Sequence, residues 1–124
     1  MAQILLVDDD DLLRNAIQYM LSSAGYDVVE AQNGAEALQQ AKSIMPDLVI
    51  TDINMPIMDG FELMQELCSV TPEQAIIAMT ATTGISTDDD RHISRAMSSG
   101  AREIIFKPFD VDYFLSRVAV SVNV

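Results

Sequence analysis

Leu48-Val49-Ile50-Thr51-Asp52-Ile53-Asn54-Met55-Pro56-Ile57-Met58-Asp59-Gly60 is the stretch whose reading decides the fold. Its first half is apolar and β-branched, which predicts a strand over 47–51 buried on both faces. The run stops on Asp52. Asp59-Gly60 then opens a stretch with Leu63, Met64 and Leu67 at helical spacing, ending near residue 69. A buried strand that ends on an acid and turns into an amphipathic helix is one half of a parallel-sheet unit.

The same grammar extends in both directions. Residues 3–7 read as a strand, and 10–24 as a helix with Leu13, Ala16, Ile17, Met20, Leu21 and Ala24 on one face, closed by Gly25. A strand at about 27–31 precedes a helix at about 34–44 that Asn33-Gly34 opens and Pro46 ends. Downstream come a strand at 75–79, a helix of about 88–98 with N-cap choices from Ser86 to Asp90, and Gly100 as its stop. A strand at 102–106 and a helix from Asp110 to about Ser121 complete the chain. Strict alternation with short connections predicts an α/β fold, a parallel sheet covered by helices on both faces through right-handed crossovers. Five units are too few for an eight-stranded barrel. Periodicity does not give strand order.

The 124 residues suit one domain, and 49% hydrophobic residues supply its core. The longest apolar stretches fall far short of the roughly 20 residues of a membrane span. The N-terminus enters a strand directly, without a basic region before an apolar segment, so a cytoplasmic location without membrane insertion is expected. Cys68 is the only cysteine, in keeping with a reducing compartment. The formal net charge of −12, nineteen acids against seven Lys and Arg, argues against direct contact with nucleic acid.

The polar residues just past the strands carry the chemistry. Asp8 and Asp9 follow the first, Asp52 the third, Thr80 the fourth and Lys107 the fifth. In an open parallel sheet these carboxyl ends share one edge, where ligands bind. Three acids in one crevice repel unless a cation joins them. Mg²⁺ suits one or two carboxylates together with phosphate oxygens. Lys107 offers a compact charge for a phosphoryl oxygen, Thr80 offers a hydroxyl hydrogen, and a carboxylate can attack phosphorus to form an acyl phosphate. Taken singly, each has a plainer reading as a cap, a strand-end hydroxyl or a solvated lysine. Asp10 and Asp11 read as helix cap and first-turn acid. The joint placement at four strand ends favours a site.

With Asp8-Asp9, the segment Asp52 to Gly60, Thr80-Ala81 and Lys107-Pro108-Phe109 in this order, the whole chain resembles the receiver domain of bacterial response regulators, of the stand-alone chemotaxis type. The resemblance implies a flavodoxin-like doubly wound (βα)₅ fold with strand order 2-1-3-4-5. It makes Asp52 the phospho-acceptor. Asp9 and Asp52 would ligate Mg²⁺, with Mn²⁺ as a substitute, joined by the Asn54 backbone carbonyl and by Asp8 mainly through water. Lys107 would contact the phosphoryl group, Thr80 would swing toward it, and small Ala81 would leave the donor access. Pro108 would follow a cis peptide. The implied donor is a sensor histidine kinase or phosphotransfer protein. The implied output is a switched surface of the fourth helix, fifth strand and fifth helix that binds a downstream protein effector, from a monomer or a dimer formed on phosphorylation. The domain would catalyse its own phosphorylation and dephosphorylation, with no dedicated small-molecule turnover. Residues 1–124 would form a single receiver without an output domain.

Two departures from the family pattern stand out. The position three residues before the lysine, often a switching Tyr or Phe, is Ile104. The stretch from Thr80 to Lys107 is about five residues longer than in compact receivers, with the extra material placed at Thr82 to Thr87, either a tolerated insertion or a modified switch loop. Uncharged Thr82 and Asn54, each two positions past Thr80 and Asp52, are expected to set the lifetime of the phosphorylated form. His92 reads as a surface residue rather than a ligand, Cys68 as a small buried hydrophobe, and Met55 and Met58 as the rim of the site.

Three other functions compete. A receiver excised from a larger regulator, or a phosphorelay intermediate, would carry the same residues. A metal-dependent phosphohydrolase with an aspartyl nucleophile usually has a second acid two residues on, where this chain has Asn54. A flavin carrier would hold phosphate after its first strand, whereas Thr80-Ala81-Thr82-Thr83-Gly84 follows the fourth.

Overall fold

A computed structural model describes residues 2–81 and 86–122. Five strands and five helices alternate: β1 (Gln3–Val7), α1 (Asp11–Ser23), β2 (Asp27–Ala31), α2 (Gly34–Ile44), β3 (Leu48–Asp52), α3 (Gly60–Val70), β4 (Ile76–Ala81), α4 (Ser86–Ser99), β5 (Glu103–Lys107) and α5 (Val111–Val122). All pairings are parallel, and the sheet order is β2-β1-β3-β4-β5. Both the fold class and the order implied by the resemblance hold. Among the described residues no helix is long and apolar enough to cross a membrane.

The period of two along each strand divides the core. Leu5, Val7, Val49, Ile76 and Ala78 point to the face covered by α2, α3 and α4, where Ala37, Ala41, Phe61, Leu63, Met64, Leu67 and Ala96 meet them. Ile4, Leu6, Ile50, Ile77 and Met79 point to the other face, against Ile17 and Leu21 of α1 and Phe114 and Val118 of α5. Strands buried on both sides explain why β1, β3 and β4 read as unbroken apolar runs.

Side chains cap the helices where the sequence offers short acids and amides. Asp10 accepts from the backbone of Leu12 and Leu13, Asn33 from Glu36, and Asp59 from Glu62. Gly25 at φ 99° and Gly100 at φ 118° take left-handed conformations past α1 and α4. Helix α2 ends differently from the expectation: Met45, at φ 49°, is the left-handed residue, and Pro46 merely follows it.

The elements at the site edge run longer than periodicity suggests. β4 continues through Thr80 and Ala81, which pair with Phe106 and Lys107, so both residues and Lys107 lie within strands. Lateral pairing with β5 carries the ladder past the last apolar residue. Asp52 likewise closes β3, opposite Met79. Ser86 and Thr87, assigned to a loop by sequence, already belong to α4; Thr82 to Ile85 lie outside the described residues.

Gly60 begins α3 where the chain doubles back on β3. A Cβ there would collide with the carbonyl oxygen of Asp52 and stand 2.7 Å from Ile53 Cα. These are backbone atoms that cannot rotate away. Gly60→Ala is therefore expected to destabilise the domain by about 1–3 kcal/mol, the usual cost of overpacking. Urea unfolding of the two proteins measures it.

Candidate functional site

The strand ends meet as the sequence predicts. Asp8 leaves β1 fully buried, and its backbone amide donates to Ala31 O on the neighbouring strand. Its carboxylate accepts from Asp10 N at 2.9 Å. Asp52 is buried at the end of β3, with Oδ1 accepting from Ile53 N at 2.9 Å. Lys107 reaches across from β5 and places Nζ 3.3 Å from Asp52 Oδ1 and 3.5 Å from Asp8 Oδ2. Asp9 is exposed, yet one oxygen each from Asp8, Asp9 and Asp52 lie within 4.8 Å of one another.

Charge and burial pull against each other here. Burial raises the Asp52 carboxyl from its usual 3.8 to about 6, against the opposing pull of Lys107 and with a further push from Asp8. Three carboxylates face one ammonium, so the donor set favours an added cation. Clustered, hard carboxylate oxygens fit a divalent ion such as Mg²⁺.

Thr80 is fully buried, and its Oγ1 has no hydrogen-bond partner among the described residues. Its register places it between Met79, which faces Asp52, and Ala81, which faces Lys107. Ala81 is exposed, and so is Asn54 two residues past Asp52. The peptide between Lys107 and Pro108 is cis, and Phe109 stacks on Phe114 at 4.6 Å. Ile104 is half-buried and packs into the core beneath α4. Thr82 lies outside the described residues.

Other sequence readings shift. Met55 is a buried member of the core rather than rim, and Met58 is half-buried against that same core. The hydrophobic interior under α3 draws both thioethers inward. His92 is half-buried, its ring 6.5 Å from that of Phe61, with Nδ1 enclosed and without a hydrogen-bond partner among the described residues. Cys68 does pack as a half-buried hydrophobe against Gly100, and burial raises its thiol pKa.

Sequence reasoning missed Arg14. It is buried on α1, where Nη1 donates to the Asp8 carbonyl at 2.7 Å, Nη2 to Asp11 at 2.7 Å and Nε to Glu30 at 3.2 Å. It ties the turn after β1 to the first helix and so fixes Asp8. The available signal was an arginine between Leu13 and Ile17, on the apolar stripe of α1, a place a charge occupies only when paired.

With the geometry in view, comparison with known proteins is specific. The model of the family described as response regulator receiver domain matches residues 4–119. The chain is 37% identical to the chemotaxis protein CheY of Bacillus subtilis over 98% of each chain, and 34% identical to that of Thermotoga maritima over 98% of this chain and 94% of the other. Among solved structures, Vibrio cholerae chemotaxis protein CheY4 is similar at TM-score 0.86 and 30% identity, covering 98% of both chains. A receiver domain protein from Clostridium thermocellum is similar at TM-score 0.90 and 28% identity, covering 99% of this chain and 95% of that one.

The raised Asp52 pKa has a stability consequence without metal. An acid whose folded pKa lies above its unfolded one binds its proton more tightly when folded, so its contribution is present at low pH. That contribution disappears as pH rises from about 3.8 to about 6. Asp52→Asn removes the ionised carboxylate. In chelator at neutral pH the variant is expected to exceed wild type in stability by about 1–2 kcal/mol, with the difference vanishing near pH 4. Urea titrations across that range check the sign.

Proposed function

The chain belongs to the response regulator receiver domain family, which operates in phosphorylation-based two-component signalling, and from that premise we propose that Asp52 is its phospho-acceptor. The observation that carries this reading is the Lys107 ammonium held between Asp52 and Asp8 at the carboxyl edge of the sheet. Asp52 is the carboxylate within the acid cluster that ends a central strand, and the Lys107 ammonium lies 3.3 Å from it.

The carboxylates of Asp9 and Asp52, the Asn54 backbone carbonyl and, through water, Asp8 would hold Mg²⁺, or Mn²⁺ in its place. A metal held there would offset the negative charge of the acids and of the arriving phosphoryl oxygens. An Asp52 oxygen attacks phosphorus in line as the phosphorus–nitrogen bond of a donor phosphohistidine breaks. The imidazole leaves with the bonding pair and takes a proton from solvent. Lys107 neutralises the transferred group, and exposed Ala81 leaves the donor room. Water attack on phosphorus later returns the free carboxylate and phosphate, at a rate that Asn54 and Thr82 set.

Thr80 donates its hydroxyl hydrogen to the new phosphoryl group. Its movement reaches the surface of α4, β5 and α5 through half-buried Ile104, and that surface then binds a protein effector. Residues 1–124 act as one receiver, in the cytoplasm, with a histidine kinase or phosphotransfer protein upstream. The two chemotaxis proteins are matched over 98% and 94% of their own length. The same segment also matches Response regulator MprA of Mycolicibacterium vanbaalenii over 48% of that longer protein. A phosphohydrolase role is disfavoured by the neutral Asn54 where a leaving-group acid would stand.

Incubation with Mg²⁺ and acetyl phosphate is expected to add one phosphoryl group to the intact mass, labile in base. Asp52→Asn should carry none, and Lys107→Ala should react about 10²-fold more slowly, the scale of losing one charge-stabilising donor. Phosphorylation of Asp52→Asn at the wild-type level would overturn the assignment.

A further inference from the structure

Gly34 opens α2 at a position that does not need glycine for its backbone, since it adopts no left-handed conformation. Alanine would favour the helix by roughly 1 kcal/mol. What glycine provides is space. A Cβ on Gly34 would stand 2.8 Å from the carbonyl oxygen of Met58 and 2.9 Å from both its Cβ and Cγ. The β3–α3 loop therefore sits directly on the first turn of α2.

That loop is under visible constraint. Ile57, 82% exposed, is held at φ 72°, a region a β-branched residue rarely enters. Met58 N donates to Pro56 O at 2.8 Å across it, the pattern of the strained γ-turn. Ile57 is mostly exposed, so the conformation is imposed by anchors elsewhere in the loop. One is the bond from Gly60 N to Ile53 O at 2.8 Å, which joins the two ends of the loop and brings α3 against the backbone of Asp52. The other is Met58, seated between Gly34 and the core. Between Asp52 and Met58 lies Asn54.

We propose that Gly34 is a positioning residue for the metal site: by admitting Met58 against α2 it holds the β3–α3 loop so that Asn54 and Asp52 present their oxygens together. The inference rests on the reading that Mg²⁺ binds at Asp9, Asp52 and the Asn54 carbonyl. It assigns a part of that site to a residue on a different helix, which touches neither metal nor phosphoryl group.

The test is Mg²⁺ affinity, measured by titrating MgCl₂ while following the backbone amides of residues 53–55 and 57–60 by NMR. Gly34→Ala is expected to weaken binding about tenfold. Gly25→Ala is the control: its φ of 99° makes alanine strained, but nothing lies within 4 Å, so it destabilises the fold and leaves Mg²⁺ affinity within about twofold of wild type. Met58→Gly, which keeps Gly34 but empties the seat, should weaken binding severalfold and carries the test if Gly34→Ala does not fold. Wild-type affinity in Gly34→Ala, or an equal loss in Gly25→Ala, overturns the positioning role. Failure of wild type itself to bind Mg²⁺ overturns the metal site and this inference with it.

Discussion

Everything at the functional edge depends on one electrostatic arrangement: two buried carboxylates from β1 and β3 sharing the ammonium of Lys107 from β5. Ionised groups are rarely buried unless paired, because the low-dielectric interior penalises an isolated charge. Here the pairing spans strands that are not neighbours, since β4 lies between β3 and β5. The register of the whole sheet must therefore be right for the charges to meet. A slip of one residue in any strand would turn its polar terminus to the opposite face. The apolar runs that fix the register and the acids that end them are thus one design.

A second layer holds the acids from behind. Arg14 anchors the Asp8 carbonyl to α1 and to Glu30 of β2, while Gly60 lets α3 close on the backbone of Asp52. On the two acids these contacts touch main chain rather than carboxylate oxygens. They leave the carboxylates free to meet a ligand while denying their backbones room to move, which is what preorganisation requires.

Much of this was legible in the sequence because it rests on periodicity. Leu48 to Thr51 and its counterparts announced five strands, their polar ends announced the site, and Asp10, Asn33, Asp59 and Gly25 marked helix ends. Less legible was whatever depends on lateral pairing or close approach. β4 runs on through Thr80 and Ala81 because β5 pairs with it, a fact no local pattern carries. Met55 reads as rim from its place in the loop but is drawn into the core by α3. The left-handed turns at Met45 and Ile57 carry no glycine or asparagine to signal them. Arg14 looked like an ordinary helix residue because its partners lie in three different segments.

The Thr80 hydroxyl, buried without a partner among the described residues, has an energetic consequence. A buried hydroxyl without a partner costs about 1–3 kcal/mol compared with one that is satisfied. An acceptor arriving within its reach would not have to distort a contented structure; it would cure a defect already present. The resting fold would then gain, rather than lose, when an oxygen came within reach of that hydroxyl.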